Sequence, residues 1–198
     1  MLYRGVDSSV DEAKKRIAAL WRRGHWSVFE LMGFGLLVEC SRACHTQFIR
    51  HRMASYWSES QRYVDYSRQE LRLVVPRDFP LELLEEGIKA YMRLREAGQR
   101  PEWARLALSN AAAVRFVVQM NAREFFTVFA LLRCSASAQA EIRHICWGMF
   151  AVAWGLWPTL AKPAWDDLPT LHRDFCAKAR GEDCRLYAIE DAERLFGP

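Results

Sequence analysis

The chain has 198 residues, 51% of them hydrophobic and 26% charged, which points to one folded domain with a single core and excludes an intrinsically disordered chain. Its net charge of +4 is mild and suits a small anionic ligand at least as well as a nucleic-acid polymer, which calls for a concentrated basic face. The most apolar run, Ile145 to Trp157, is shorter than the ~20 residues that a membrane helix needs, so no membrane span is expected.

In chain order, Ser9 and Glu12 stand three apart as a capping box, and Ala13, Ile17, Leu20 and Trp21 continue at helical spacing until Gly24. Ser27 and Glu30 repeat the cap pattern, so a helix start is expected at Ser27, where backbone N–H groups would form an anion seat. Phe34, Leu36 and Val38 alternate with Gly33, Gly35 and Leu37 as a strand, and Ser41 then caps a helix expected to reach Arg52. On that helix Ala43, Gln47 and Arg50 share a face, so an amide and a guanidinium could read a base and its phosphate; Gln47 could equally face solvent. Val64 to Pro76 reads as a short strand or extended segment, Leu81 to Ala97 as a helix, and Pro101 as the first residue of another. Val114 to Met120 has strand character, and Asn121 caps a helix over Ala122 to Cys134. Ser137 to Trp157 is the core helix, ended by Pro158; a polar connection around Pro163, Asp166, Asp167 and Pro169 leads to a tail, Leu171 to Pro198, with a weak helical signal near Ile189.

Six cysteines lie at wide spacings with no Cys-x-x-Cys pair and no secretory leader before them, so they are expected as reduced thiols of a cytoplasmic protein, with no metal site. The chemistry is concentrated between Arg50 and Tyr63. Arg50, Arg52 and Arg62 offer planar charged forks suited to phosphate oxygens, Ser55, Ser58 and Ser60 offer hydroxyls, and Glu59 can accept from a sugar hydroxyl. A nucleotide clamp, a solvated basic face and a non-specific RNA patch all remain open from these residues alone. Arg105 is by default a surface residue. Arg133, placed after Phe125 to Leu132, either keeps its head in water at a helix end or meets an oxygen-rich ligand.

Taken together, Arg50-His51-Arg52-x-x-Ser55 followed by Ser60-x-Arg62-Tyr63 resembles the signature of the flavin-dependent thymidylate synthases. The likeness extends to Gly24-His25-x-Ser27-x-x-Glu30, Ser41-Arg42 with Gln47, Glu102-x-Ala104-Arg105, Asn121-Ala122-Arg123, Arg133 and Ala138-Gln139-x-Glu141-Ile142-Arg143. It implies an α+β fold with helices on a small, mostly antiparallel sheet, one domain over residues 1–198, and a homotetramer whose sites are shared between subunits. The implied reaction is reductive methylation of dUMP to dTMP, with methylenetetrahydrofolate as one-carbon donor and NADPH supplying hydride through FAD.

The resemblance places Gln47, Phe48, Ile49, Arg50, Ser58, Glu59, Ser60, Gln61, Arg62, Arg105 and Arg133 at dUMP, with Arg133 the catalytic residue, favouring ionisation of the uracil at N3. It places His25, Ser27, Arg50, His51, Arg52, Ser58, Asn121, Ala122, Arg123 and Thr127 at FAD. No G-x-G-x-x-G follows a strand, so the flavin would not sit in a Rossmann fold. Two alternatives stand beside this reading: a divergent flavin-dependent one-carbon transferase acting on a pyrimidine nucleotide, and a non-catalytic nucleotide- or RNA-binding protein. This chain has Trp57-Ser58 where many members have Asn-Glu, and Glu30-Leu31 where Glu-His is common. It also carries one residue more than usual between Asn121-Ala122-Arg123 and Arg133, which a bulge in the helix would absorb.

Overall fold

The computed structural model describes residues 9–76, 78–135 and 137–168. Helix α1 (Val10–Arg22) opens on the expected capping box: the Ser9 hydroxyl accepts from the Glu12 N–H and the Glu12 carboxylate accepts from the Ser9 N–H. After it, Gly24 takes a positive φ of 71°, a conformation that costs glycine little, and turns the chain. Trp26–Leu31 is a 3₁₀ turn entered through His25 with no side-chain cap. Ser27 therefore lies inside a tight turn, and the helix start expected there is not formed.

Strand β1 (Gly33–Ser41) is followed by α2 (Arg42–Phe48), β2 (Ala54–Ser58), α3 (Glu82–Glu96), α4 (Pro101–Ala104) and β3 (Ala113–Asn121). The sheet is antiparallel with β3 in the centre, in the order β1-β3-β2. Its register is visible at two glycines, Gly33 facing the Met120 carbonyl and Gly35 the Val118 carbonyl. The pleat, with one face packed, explains β3's pattern: Val114, Phe116, Val118 and Met120 are buried, while Arg115 and Gln119 point out. Beyond it come α5 (Ala122–Glu124), a π-helical turn over Phe125–Phe129, α6 (Ala130–Arg133), α7 (Ala140–Leu156) and α8 (Pro158–Asp167).

Several expectations are corrected. Helix α2 stops at Phe48 and does not reach Arg52, because the chain tightens through His51 N–H to Phe48 O. Val64 to Pro76 forms no strand; its Leu73 makes an isolated antiparallel bridge with Ala112. Pro158 begins a helix at the permitted first-turn position, so the expected polar connection is largely α8. The expected tail with its weak helical signal, together with Pro169, Cys176 and Cys184, lies outside the described residues.

The described residues group into two compact units. One holds the chain up to Phe34, Met120–Gln139 and the residues from Arg143 onward. Its interior is aromatic: Trp21 meets Phe29 and Phe126, and Phe125 meets Phe34, Phe126, Phe129 and Phe150. Trp21 also donates from Nε1 to Asp167 at 2.5 Å, tying α1 to α8.

The other unit holds Gly35–Gln119 and Ala140–Ile142. Around Phe116 gather His45, Phe48 and Tyr56, and a second cluster is built on Tyr66, Tyr91 and Ala104. Polar pairs join these rings. Asp65 accepts from Arg95 Nε and Nη2 at 2.9 and 2.6 Å, which holds its carboxyl well below the usual carboxylate range. The buried Glu141 carboxylate accepts from Ser41 N–H at 2.6 Å and from the Ser41 hydroxyl at 2.5 Å. Burial pushes that carboxyl up, and the two Ser41 bonds pull it back. Cys40 and Cys44 bring their thiols to within 4.8 Å of the same carboxylate. No helix among the described residues is long and apolar enough to cross a membrane.

Candidate active site

The Arg50-His51-Arg52 segment is a turn, closed from below by one side chain. The Tyr56 hydroxyl lies 2.7 Å from the Phe48 carbonyl and 3.0 Å from the His51 carbonyl, acceptors that the end of α2 leaves open. Tyr56 stands on β2, a strand inside the polar stretch Arg50 to Tyr63 for which no element was expected. Its alternation was the available signal: Ala54, Tyr56 and Ser58 are half-buried while Ser55 and Trp57 point out. The turn thereby buries His51 at 4% exposure and leaves Ile49, Arg50 and Arg52 facing solvent. Gln47 keeps a half-buried amide at the last turn of α2 and donates to the Ala43 carbonyl at the long distance of 3.5 Å. Because the helix ends first, the face expected to join Ala43, Gln47 and Arg50 is not formed.

Ser58 ends β2 with its hydroxyl 2.9 Å from His45 Nε2. His45 is buried, and burial followed by the neighbouring Arg42 charge lowers its pKa, so the ring is held neutral. Ser58 and Glu59 line a cleft of about 360 Å³ with Leu37, Trp57, Arg115, Phe116 and Val117. Trp57, 81% exposed, is its apolar wall. Glu59 is fixed by its N–H donating to Arg115 O at 2.8 Å.

Beyond Glu59, Ser60 starts a turn: its carbonyl accepts from the Tyr63 and Val64 N–H groups, and its hydroxyl accepts from Arg62 N–H. Gln61 is turned into the interior, whereas Arg62 is exposed and lies over the Tyr63 ring at 5.5 Å. Arg62 and Arg105 converge on one residue of α4. The Arg62 guanidinium is 3.7 Å from the Glu102 carboxylate, and Arg105 Nε donates to the Glu102 carbonyl at 3.3 Å. The 3₁₀ turn Arg105–Ala107 is seated on α3 at Gly87, where a Cβ would come within 2.8 Å of the Ala107 carbonyl. A larger residue there would push the Arg105 turn away.

In the aromatic unit, the 3₁₀ turn carrying Ser27 packs against α5. His25 and Ser27 are exposed, and Glu30 pairs with Arg123. Asn121 acts as the expected cap, its Oδ1 accepting from Glu124 N–H at 2.8 Å. Ala122 is fully buried and donates its N–H to Met32 O at 2.8 Å. Thr127 donates to Arg123 O at 2.7 Å from within the π-helical turn. Such a turn holds one residue more than an α-turn, so the helix from Asn121 to Arg133 contains the kind of bulge that the surplus residue called for. Arg133 is half-buried at the end of α6, directly after the apolar face of that helix.

The structure thus collects Gln47 to Arg52, Ser58 to Arg62 and Arg105 in the sheet unit. His25, Ser27, Asn121, Ala122, Arg123, Thr127 and Arg133 stand in the aromatic unit. Sequence reading passed over His45 and Tyr56, which touch Ser58 and the arginine turn. Their partners carried no sequence signal, because each acts on a segment 5 to 13 residues away in sequence.

A family model described as thymidylate synthase complementing protein matches residues 3–159. A flavin-dependent thymidylate synthase of Pyrobaculum aerophilum is 65% identical, covering 100% of this chain and 84% of its own length. Proteins of the same name from Geobacter sulfurreducens and Pyrococcus abyssi are 34% and 36% identical, covering 78% and 70% of this chain and 75% and 62% of their own.

Proposed function

Because the chain belongs to the thymidylate synthase complementing protein family, we propose that it is a flavin-dependent thymidylate synthase converting dUMP to dTMP. Methylenetetrahydrofolate gives the one-carbon unit and NADPH the two electrons, so that C5 of the pyrimidine exchanges its hydrogen for a methyl group. The observation that carries this reading is the convergence of Arg62 and Arg105 on Glu102 within the same unit as the Tyr56-closed Arg50-His51-Arg52 turn.

The residues present suit both ligands. Arg50, Arg62 and Arg105 are permanently charged forks for the dUMP phosphate, and the weak pairing of exposed Arg62 with Glu102 is readily exchanged for a dianion. Gln47, with the backbone of Phe48 and Ile49, and Ser58 to Gln61 surround the rest of the nucleotide. Arg133 supplies a fixed cation beside the uracil, stabilising the negative charge that ionisation at N3 develops on the ring.

For FAD, each unit offers donors suited to an anionic, oxygen-rich group: exposed Arg50 and Arg52 with His51 and the Ser58 hydroxyl in the sheet unit, and exposed Arg123 with the Ser27 hydroxyl, His25, Asn121, Ala122 and Thr127 in the aromatic unit. When bound, the flavin carries hydride from NADPH to the nucleotide. Residues 1–198 act on this reading as one domain, in a cytoplasmic homotetramer whose sites are shared between subunits.

Purified protein supplied with FAD should be yellow and should form dTMP from dUMP, methylenetetrahydrofolate and NADPH. Colourless protein that makes no dTMP after FAD is added overturns the reading. Arg133→Ala should lower turnover by at least ~100-fold, as loss of a transition-state charge partner does; unchanged turnover removes the role assigned to Arg133.

A further inference from the structure

Cys134 and Cys146 are both fully buried, and their Sγ atoms lie 3.1 Å apart. Cys134 follows the last residue of α6, and Cys146 lies in the second turn of α7. A disulfide has an S–S length of ~2.05 Å, so about 1 Å separates the pair from bonding distance. Small side-chain rotations can close such a gap. The other two described thiols, Cys40 and Cys44, sit beside a buried carboxylate instead.

We propose that Cys134 and Cys146 form an intrachain disulfide that fastens the end of α6, and with it the residue next to Arg133, to α7. The cross-link does not depend on the nucleotide reading above. It forms by exchange with a low-molecular-weight disulfide: one thiolate attacks it and releases a thiol, and the second thiolate then displaces the remaining thiol. The two cysteines lose two protons and two electrons, and the small disulfide is reduced to two thiols. With both sulfurs shielded, the exchange belongs to a local opening of α7 or to a stage before α7 closes over the pair. Once made, the bond is protected by the same burial.

Trypsin separates the two cysteines, since Arg133 precedes Cys134 and Arg143 lies between Cys134 and Cys146. Full-length protein incubated with oxidised glutathione, then denatured in iodoacetamide without reductant, should yield a peptide pair joined through Cys134 and Cys146 that reduction splits. The thermal midpoint of the oxidised protein should exceed that of the reduced protein by roughly 5–10 °C, and Cys146→Ser should lack this difference. Alkylation of both cysteines after oxidation, or linkage of either one to another cysteine of the chain, overturns the proposal. The peptide analysis of the unmodified sequence decides even if the serine variant fails to fold.

Discussion

Phe125 and Phe116 are each the hub of a unit, and the two hubs are built differently. Phe125 meets four rings, all phenylalanine, with centroids 5.0 to 6.0 Å away. Phe116 meets Phe48, but also His45 and Tyr56, whose polar atoms bond to Ser58 and to the arginine turn. Ring contacts in the first unit are non-directional and many, so the unit holds its helices through summed area and dispersion. In the sheet unit, buried polar pairs such as Ser41–Glu141 and His45–Ser58 each have one satisfactory geometry. Their value is in placing α2 and β2, and through them the arginine turn. An aromatic interior tolerates change by repacking, while a polar one answers in all-or-none fashion.

The largest effect is expected where the aromatic unit also has to keep register. Inserting an alanine after Leu132, an exposed residue of α6, adds a second surplus residue that the π-helical turn over Phe125–Phe129 does not absorb. Every side chain after the insertion then rotates by about 100° relative to what precedes it. Arg133 no longer points where it did, and turnover should fall about 100-fold or more while far-ultraviolet circular dichroism is kept. Full activity in the insertion variant would show that helix register does not set Arg133.

Next, Phe125→Ala removes the hub itself. A fully buried phenylalanine contacting four rings should cost about 3–5 kcal/mol, read as a lower urea midpoint. Phe126→Leu, at the edge of the same cluster, should cost less than about 1.5 kcal/mol because the volume is largely kept. If the two losses prove equal, the aromatic unit does not repack as argued.

Ser41→Ala probes the polar unit at one point. It removes the hydroxyl that accepts from Cys44 N–H at the start of α2 and donates to the buried Glu141 carboxylate. The loss should be about 1–3 kcal/mol, from the missing cap and from one donor fewer on a buried carboxylate. In the double variant with Glu141→Gln, the combined loss should be smaller than the sum, since an amide no longer needs that donor. Additive losses would separate the two residues energetically.

How much of this could be read in advance follows the range of each interaction. The Ser9 and Asn121 caps and the alternation of β3 are set by neighbours three or two residues apart, and they stand where the sequence places them. The end of α2, where His51 N–H turns back to Phe48 O, was missed because the Tyr56 hydroxyl that holds this turn reaches back from β2. Ser41–Glu141 spans 100 residues and Asp65–Arg95 spans 30, so no periodicity announces either pair. The candidate site was visible as residue types in order, through the family signature. The partners His45 and Tyr56, which hold those residues, were not.

The smallest expected effect concerns His45 and carries a sign. Burial and Arg42 lower its pKa in the folded chain, so the unfolded chain, titrating near ~6.5, binds the proton more readily. Stability from the neutral ring is fully present above that value and is lost as pH falls through the window toward the folded pKa. His45→Gln keeps an amide donor for Ser58 and removes the titration. Urea midpoints measured from pH 8 to pH 5 should decline in the original chain, and the decline should be shallower in the variant. The variant differs from the original chain only at residue 45, so the difference between the two curves isolates His45. Parallel curves would mean that the His45–Ser58 contact does not sense the ring's protonation, and the polar unit would then be less geometrically demanding than the aromatic one.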